Sequence, residues 1–345
     1  QVVLTSDGDG TFTEQLLAAD SGGGAGHRAI GDFNQDGWQD IFVAQETRFL
    51  VWLNDQGAFP GQPRVTNYAS PDGQNEQFNV VALNTDGFPD IVHVGGAEAI
   101  NLALGLGDGT FDLPASVATG GEQPNDVVAA DFNGDGIDDL AAPIGRHIHD
   151  NTLLVALGDG NGSFGPPGEF GLGMNALSVA AGDINGDGDT DIVTVNNSDS
   201  DVSVLLGNGD GTFAPQQRFD VGAFPRDVAL GDFDNDGDLD LAVTASDGVS
   251  VLLGNDDGTF AARQNYSTTN DFTVSVGDFN GDGDEDLFVT PASYLDDGAV
   301  LFGNGDGTFS APSSIADSLG QGTVADFNGD GLLDIATTQG AVRLG

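Results

Sequence analysis

Short apolar runs, each bounded by glycine, aspartate and asparagine, recur along the whole chain. In one representative unit these runs cover residues 227–231, 241–244 and 249–253, and a weaker run follows Phe260. β-branched residues are frequent in the runs, and apolar residues nowhere recur with the period of about 3.6 residues that marks an amphipathic helix. The pattern predicts four short antiparallel strands in each unit.

An acidic nonapeptide lies between the first and second apolar run of each unit. Its sequence is close to D-F-N-x-D-G-x-x-D, and copies begin at residues 32, 131, 183, 232, 278 and 326. A degenerate copy, A-L-N-T-D-G-F-P-D, begins at Ala82, and successive copies begin 46 to 52 residues apart. A glycine turn close to G-D-G-T-F ends at Phe12, Phe59, Phe111, Phe164, Phe213, Phe260 and Phe309.

Four strands within one repeat of this length have the size of a propeller blade, whereas calcium-binding β-helices repeat about every nine residues. We therefore predict an all-β fold: a single seven-bladed β-propeller over residues 1–345, with four-stranded antiparallel blades. The blades are expected to start near residues 27, 77, 126, 178, 227, 273 and 321. The phenylalanines of both repeated motifs are expected to pack between neighbouring blades.

Residues 1–20 are expected to complete the last blade. We predict that the C-terminal end supplies three strands of that blade and the N-terminal end supplies one, which closes the ring. Residues 2–4 and residues 342–344 both have the apolar pattern of a third strand. The sequence leaves open which of the two occupies that place.

The charge of the chain is extreme and comes almost entirely from aspartate. There are 55 acidic residues against 8 basic ones, which gives a net charge of −47, and there is no cysteine. Nucleic acid is excluded as a partner because no basic patch could neutralise its phosphates. No apolar run approaches the roughly 18 residues that a membrane-spanning helix needs, so we predict no membrane span.

Short carboxylates at fixed positions of a loop indicate ligands for a hard cation. Calcium takes about six to eight oxygens, and the D-x-N-x-D alternation followed by glycine can supply them from one tight turn. We expect the first, third, fifth and ninth positions of six copies to bind calcium. These residues are Asp32, Asn34, Asp36 and Asp40; Asp131, Asn133, Asp135 and Asp139; Asp183, Asn185, Asp187 and Asp191; Asp232, Asp234, Asp236 and Asp240; Asp278, Asn280, Asp282 and Asp286; and Asp326, Asn328, Asp330 and Asp334.

The seventh position can add a backbone carbonyl, from Trp38, Ile137, Asp189, Asp238, Asp284 and Leu332. In the degenerate copy Ala82 replaces the first ligand, so we expect the site at residues 82–90 to be weak or empty. About six calcium ions are predicted in all, and folding should depend on them.

At these residues the chain resembles the FG-GAP/VCBS repeat family, which includes the propeller of integrin α-subunits and some propeller lectins. The resemblance implies a propeller with calcium in the hairpin loops between the first and second strands of each blade. It does not imply a particular ligand.

Ligand chemistry is expected where the repeats differ, in the loops on the face opposite the nonapeptides. The scarce cations and one tyrosine gather there: His27, Arg28, Arg48, Arg146, His147, His149, Arg226 and Tyr294. Arginines suit carboxylates and sulfates, which favours an acidic or polyhydroxylated partner such as a glycan. The alternatives are that these residues only offset local negative charge, or that His147 and His149 bind a transition metal.

Three functions are compatible with these residues. The first is a lectin-like or adhesion module that binds a polysaccharide or an extracellular protein. The second is a polysaccharide lyase, in which His147, His149 or Tyr294 would act as the base beside Arg146. The third is a spacer domain. We favour the non-catalytic binder, as a monomer or one domain of a longer chain. It is expected to be secreted or at the cell surface, because weak carboxylate sites fill where calcium is millimolar.

Overall fold

The computed structural model describes residues 2–6, 12–16, 28–45, 48–56, 58–68, 77–94, 99–113, 116–120, 123–144, 151–268, 271–291, 298–315, 322–326 and 334–337. These residues form β-strands and turns, and no helix occurs among them. Within this part of the chain, no helix is long and apolar enough to cross a membrane.

The chain begins with two paired strands, β1 (Val2–Ser6) and β2 (Phe12–Leu16). The next three sheets are each built from one unbroken stretch, and we name them blades 1 to 3. Blade 1 contains β3 (Arg28–Gly31), β4 (Asp40–Gln45), β5 (Arg48–Trp52) and β6 (Arg64–Asn67). Blade 2 contains β7 (Gln77–Val81), β8 (Asp90–Val94), β9 (Ala99–Gly105), and β10 (Phe111–Asp112) and β11 (Val117–Ala118), which both pair with β9. Blade 3 contains β12 (Val128–Ala130), β13 (Asp139–Ile144), β14 (Thr152–Ala156) and β15 (Gly168–Gly171).

Blades 4 to 6 follow the same order. Blade 4 contains β16 (Ala176–Gly182), β17 (Asp191–Asn196), β18 (Asp201–Leu205) and β19 (Gln217–Asp220). Blade 5 contains β20 (Asp227–Gly231), β21 (Asp240–Ala245), β22 (Gly248–Leu252) and β25 (Gln264–Tyr266), with a short hairpin of β23 (Gly254–Asn255) and β24 (Thr259–Phe260) before the last strand. Blade 6 contains β26 (Asp271–Gly277), β27 (Asp286–Pro291), β28 (Gly298–Leu301) and β29 (Ser313–Ile315). Two further strands are β30 (Gly322–Ala325) and β31 (Asp334–Thr337).

A further sheet joins the two ends of the chain in the strand order β2-β1-β31-β30, and we call it the terminal sheet. Strand β1 runs antiparallel to β31, with Val2 opposite Thr337 and Leu4 opposite Ile335. Each end therefore supplies two strands, and the prediction of three from one end and one from the other is wrong. Residues 2–4 occupy the third-strand place, while residues 342–344 lie outside the described part of the chain.

The first strands of neighbouring blades contact one another in chain order, from β3 through β7, β12, β16 and β20 to β26, and β3 also contacts β30. The molecule is thus a β-propeller of four-stranded antiparallel sheets with the first strands nearest the centre. The structure shows six blades, each made of one unbroken stretch, rather than the seven predicted. The last repeat unit, which the sequence predicts to be closed by one N-terminal strand, shares the terminal sheet with two strands from the other end of the chain.

Phenylalanines of the two repeated motifs meet between neighbouring blades. Phe132 of the blade 3 nonapeptide loop lies 5.7 Å from Phe213 of the blade 4 glycine turn, measured between ring centroids, and the rings meet edge to face. Phe233 and Phe309 repeat this contact between blades 5 and 6, at 5.3 Å. All four rings are buried. Aromatic edge-to-face packing of this kind adds about 0.5–1.5 kcal/mol beyond the burial of apolar area, so the repeated phenylalanines belong to the core, as predicted.

Candidate functional site

Each described nonapeptide forms the turn between the first and second strands of its blade. In blade 1 the carboxylate of Asp32 accepts the N–H groups of Asp36 and Gly37 at 3.0 and 2.8 Å. Asn34 Oδ1 accepts the N–H of Asp36 at 3.0 Å, and Asp36 Oδ1 accepts that of Trp38 at 2.9 Å. Gly37 has a φ of 93°, a left-handed conformation that favours glycine. The alternating side chains therefore turn inward and hold the loop in a tight ring of oxygens.

The ninth residue of the loop has a structural role that the sequence did not indicate. Asp40 is fully buried, and its two oxygens accept the N–H groups of Phe33 at 2.9 Å and Asn54 at 2.8 Å. It thereby ties the start of the loop to the turn after the third strand. Burial raises the pKa of Asp40 to about 7, although these two hydrogen bonds lower it. The same pair of backbone bonds is made by Asp90, Asp139, Asp191, Asp240 and Asp286.

Among the loops that the structure describes, the loop of blade 5 brings three carboxylates close together. One oxygen from each of Asp232, Asp234 and Asp240 lies within 4.8 Å of the others. Burial, followed by repulsion from Asp236, raises the pKa of Asp234, and its buried Oδ1 has no hydrogen-bond partner. A set of hard oxygens with one orphaned carboxylate atom fits a calcium ion, which would satisfy that atom and offset the repulsion.

The degenerate loop of blade 2 keeps most of the hydrogen bonds of the others. Asn84 Oδ1 accepts the N–H of Asp86 at 2.8 Å, and Asp86 Oδ1 accepts that of Phe88 at 2.9 Å. The bonds that the first aspartate makes elsewhere are missing because Ala82 has no carboxylate. The N–H of Ala82 donates to Asp138 Oδ2 of blade 3 at 3.1 Å, as the N–H of Asp232 does to Glu285 Oε2 of blade 6 at 2.9 Å. The loop thus keeps its shape with one anionic oxygen donor fewer, and a weak or empty site there stays a prediction.

The structure describes only the first and last residues of the last nonapeptide. The structure describes Asp326 and the backbone of Asp334, whereas Asn328, Asp330 and Leu332 lie outside the described residues.

The face opposite the nonapeptides carries the second-to-third-strand loops and the connections between blades. Of the cations and the tyrosine predicted to bind a ligand, His27, Arg146, His147, His149 and Tyr294 lie outside the described residues, as does the side chain of Arg28 in β3. Arg48 starts β5, opposite Gln45 and Asn67. Arg226 is exposed, and its N–H donates to the carbonyl of Thr244 at 2.9 Å. Their gathering into one site, and with it the lyase and transition-metal alternatives, stays a prediction.

The same face carries exposed apolar side chains that the sequence interpretation missed. Phe224, in the connection from blade 4 to blade 5, is 61% exposed, and Met174, in the connection from blade 3 to blade 4, is 39% exposed. Phe224 has a φ of 53°, which is an outlier for a bulky residue. Strained backbone of this kind gathers at functional sites. The sequence does contain a signal for this residue, because Phe224 belongs to neither of the repeated motifs whose phenylalanines form the core.

Asn197, in the second-to-third-strand loop of blade 4, connects these two segments. Its N–H donates to the carbonyl of Asn175 at 3.0 Å, and its Nδ2 donates to the carbonyl of Pro225 at 2.8 Å. Asn175 Nδ2 donates to Asn197 Oδ1 at 3.3 Å. We call Met174, Asn175, Asn197, Phe224 and Pro225 the blade 4/5 patch, in which Met174 and Phe224 are exposed, Pro225 is buried, and the two asparagine amides are hydrogen-bonded.

Two arginines of blades 4 and 5 have carboxylate partners. Arg218 pairs with Asp199 and, at 2.6 Å, with Asp201, and Arg263 pairs with Asp247 at 3.0 Å. These guanidinium groups are neutralised within the protein, which reduces what they can offer to an anionic ligand.

Comparison with known proteins agrees with this architecture. The family model described as an FG-GAP-like repeat matches residues 32–93, 82–142, 145–194, 183–243, 232–289 and 278–337. No curated protein sequence matches the chain. Among solved structures, a lectin of Agrocybe aegerita described as recognising non-reducing terminal N-acetylglucosamine is similar, with a TM-score of 0.66 and 18% identity over 91% of this chain and 89% of the lectin. A protein of unknown function from Desulfotomaculum acetoxidans has a TM-score of 0.58 and 15% identity over 84% of this chain and 82% of its own.

Proposed function

Because the chain belongs to the family of FG-GAP-like repeats, we propose that it is a carbohydrate-binding β-propeller module. The observation that carries this proposal is the blade 4/5 patch, in which Asn197 is hydrogen-bonded both to Asn175 and to the carbonyl of Pro225, the residue after exposed Phe224. The resemblance of the fold to that of the Agrocybe aegerita lectin supports it.

The patch has the two kinds of contact that a sugar requires. A pyranose ring has an apolar face of C–H groups, which can lie against an aromatic ring, and a rim of hydroxyl groups, which pair with amides. Phe224 offers the first contact and Asn175 the second. The strained backbone beneath the exposed ring of Phe224 supports an interaction surface, because strained residues cluster at functional sites.

A glycan array that includes neutral, N-acetylated, sulfated and uronate-containing glycans tests the proposal. We expect binding to at least one glycan, and Phe224→Ala should weaken it at least about tenfold, since burying an aromatic side chain contributes about 1.5–3 kcal/mol. Leu106→Ala is the matched control, because Leu106 is 55% exposed on the glycine turn of blade 2. Absence of binding to every glycan contradicts the proposal and favours a spacer. Release of unsaturated uronate products contradicts it in favour of a lyase.

Calcium in the nonapeptide loops is part of the proposal. The loops of blades 1, 3, 4, 5 and 6 would hold the ion through the residues at their first, third, fifth and ninth positions, with a carbonyl from the seventh. An ion bound there supplies positive charge to a ring of carboxylates, which otherwise repel one another. Calcium would stabilise the nonapeptide loops on one face of the propeller. The ligand would bind to the blade 4/5 patch on the opposite face.

The terminal sheet is proposed as a seventh blade. Its four strands have the order found in blades 1 to 6, and β30 contacts β3 as a first strand of a neighbouring blade would. Pairing of the two chain ends in one sheet would close the ring and remove an open edge. We further propose an extracellular module, secreted or at the cell surface, that acts on a polysaccharide or a glycosylated surface partner, as a monomer or as one domain of a longer chain.

A further inference from the structure

Asparagine followed by glycine occurs repeatedly in the turns of the propeller. Six such pairs lie in the described part of the chain, beginning at Asn133, Asn161, Asn185, Asn208, Asn280 and Asn304. Three belong to nonapeptide loops and three to glycine turns. The repeated dipeptide provides an internal comparison, because asparagine and glycine are the same at each site while the hydrogen bonding is not.

The chemistry of this dipeptide depends on the glycine N–H. When the glycine nitrogen loses its proton, it can attack the Cγ carbon of the preceding asparagine, and ammonia leaves as a five-membered succinimide forms. Water then opens the ring to aspartate or isoaspartate, so that asparagine and water give an acid and ammonia. Glycine allows the attack because it has no side chain to hinder the approach. A glycine N–H held by an acceptor keeps its proton and its orientation, which slows the first step.

In three of the pairs an acceptor holds the glycine N–H. Gly134 donates to Asp131 Oδ1 at 2.7 Å, and Gly281 donates to Asp278 Oδ1 at 2.6 Å. Gly162 donates to the carbonyl of Leu83 in the neighbouring blade at 3.2 Å. A carboxylate acceptor makes the bond stronger and also opposes loss of the proton, because a second negative charge would form beside the first.

In the other three pairs the N–H groups of Gly186, Gly209 and Gly305 make no hydrogen bond to any described residue. Exposure does not explain the division. Gly281 is exposed but held, whereas Gly209 and Gly305 are partly buried but not held. The hydrogen bond of the glycine N–H therefore divides the six sites into two classes that exposure does not define.

We propose that Asn185, Asn208 and Asn304 are sites of spontaneous deamidation in the folded protein, while Asn133, Asn161 and Asn280 are protected by the hydrogen bond of the following glycine. At Asn185 the product matters for the loop itself. Asn185 Nδ2 donates to Asp187 Oδ2 at 2.8 Å, and conversion to an acid replaces this bond with repulsion between two carboxylates. Aspartate at this position would also give the blade 4 loop the acidic composition of blade 5, where Asp234 occupies the third position.

Peptide mapping by mass spectrometry tests the proposal without any variant. The folded protein is incubated at mildly alkaline pH, and the fraction of acid is measured at each of the six asparagines over time. The same incubation in urea gives the rate for the unfolded chain at each site. The ratio of the two rates removes the remaining effects of local sequence.

We expect the folded-to-unfolded ratio to be at least about tenfold lower at Asn133, Asn161 and Asn280 than at Asn185, Asn208 and Asn304, as befits the loss of a hydrogen bond. In Asp278→Ala, whose fold is checked by circular dichroism, the ratio at Asn280 should rise toward that of the open class while Asn133 stays protected. Equal ratios across the six sites, or a rapid reaction at Asn133 in the folded protein, overturn the proposal.

Discussion

Ser178 of blade 4 donates its hydroxyl hydrogen to Asp227 Oδ1 of blade 5 at 2.8 Å, and Asp227 Oδ2 accepts the N–H of Val274 in blade 6 at 3.0 Å. Asp126 of blade 3 makes the equivalent contact two blades earlier, since its Oδ2 accepts the N–H of Val179 in blade 4 at 3.1 Å. Asp126 and Asp227, each five residues before a nonapeptide, thus connect blades 3 to 6 together with Ser178.

This cluster predicts a pH dependence of stability. Burial, then repulsion from Asp227, raises the pKa of Asp126 from 3.8 to about 7, and burial raises that of Asp227. The folded chain therefore holds protons that the unfolded chain has released, so the free energy of unfolding falls as pH rises from about 4 to about 7. The charged groups next to the cluster in sequence are Arg226, Asp131 and Asp232. The two aspartates are the first residues of the nonapeptides of blades 3 and 5.

Asp126→Asn should flatten this dependence by up to about 1.4 kcal/mol for each pH unit, the slope that belongs to one proton. Urea unfolding between about pH 5 and pH 8 gives the free energy of unfolding of the variant and of the original protein. The difference between the two at each pH removes the contribution of the other carboxyl groups with raised pKa values, because both proteins contain them. Ser178→Ala keeps both carboxyls and removes a hydrogen bond that lowers the pKa of each, so the fall in stability with rising pH should persist in this variant. Parallel pH profiles for Asp126→Asn and the original protein would contradict the prediction.

His93 predicts an effect of opposite sign, a loss of stability as pH falls below neutral. Its ring is buried, stacks on Phe78 with centroids 4.7 Å apart, and meets Phe49 and Tyr68 edge to face. Burial lowers the pKa of His93 from 6.5 to about 4, and Nδ1 has no hydrogen-bond partner. The unfolded chain therefore gains a proton first, and this residue's contribution to stability is lost as pH falls from 6.5 toward 4.

His93→Phe keeps an aromatic ring at the site and removes the titrating group. We expect the variant to lose less stability than the original protein on acidification from about pH 7 to pH 4, and to be equally or more stable at neutral pH, because the unpaired nitrogen is gone. Urea unfolding at the two pH values measures this. A variant that is as acid-sensitive as the original protein would show that His93 is not buried neutral.

The repeat was enough to predict the all-β propeller and the place of the nonapeptides in the first hairpin of each blade. Phe132 and Phe213 illustrate why: each recurs at a fixed offset, so a contact between blades is repeated wherever both motifs are present. The role of Asp40 could not be predicted in the same way. Its partner Asn54 lies in another turn, and only the closed blade brings that N–H to the buried carboxylate.

Features that occur in only one blade or one connection could not be predicted from the repeat. Residues 2–4 and 342–344 have the same apolar pattern, and only the pairing of β1 with β31 decides between them. Phe224 lies in a connection without a repeat, and the patch exists because Asn197 reaches Pro225 of the next blade. Such contacts depend on the assembled blades and leave no periodic signal.

Calcium should stabilise the fold, and its removal should lower the midpoint of thermal unfolding. Saturation at about a hundred times the dissociation constant of one site contributes about 2.7 kcal/mol to the free energy of unfolding. Calorimetric titration should also find one more site in Ala82→Asp, which restores the missing first ligand of the blade 2 loop. Asp183→Ala should lose one site and serves as the opposite control. Thermal unfolding that is the same in excess chelator and in calcium would contradict the role of the loops.

The contact between Phe132 and Phe213 predicts that loss of the Phe213 ring lowers the free energy of unfolding strongly. Phe213 is buried against Phe132 and, at 5.1 Å between centroids, against Phe170 in blade 3, so its ring fills the space between two blades. Phe213→Ala should lower the free energy of unfolding by about 3–5 kcal/mol, because it removes apolar burial and leaves a cavity that sheets on both sides hold open. Phe224→Ala removes the same side chain from an exposed site and should change stability little. Urea unfolding of the two variants side by side checks this, and equal losses would mean that the phenylalanines of the glycine turns do not hold neighbouring blades together.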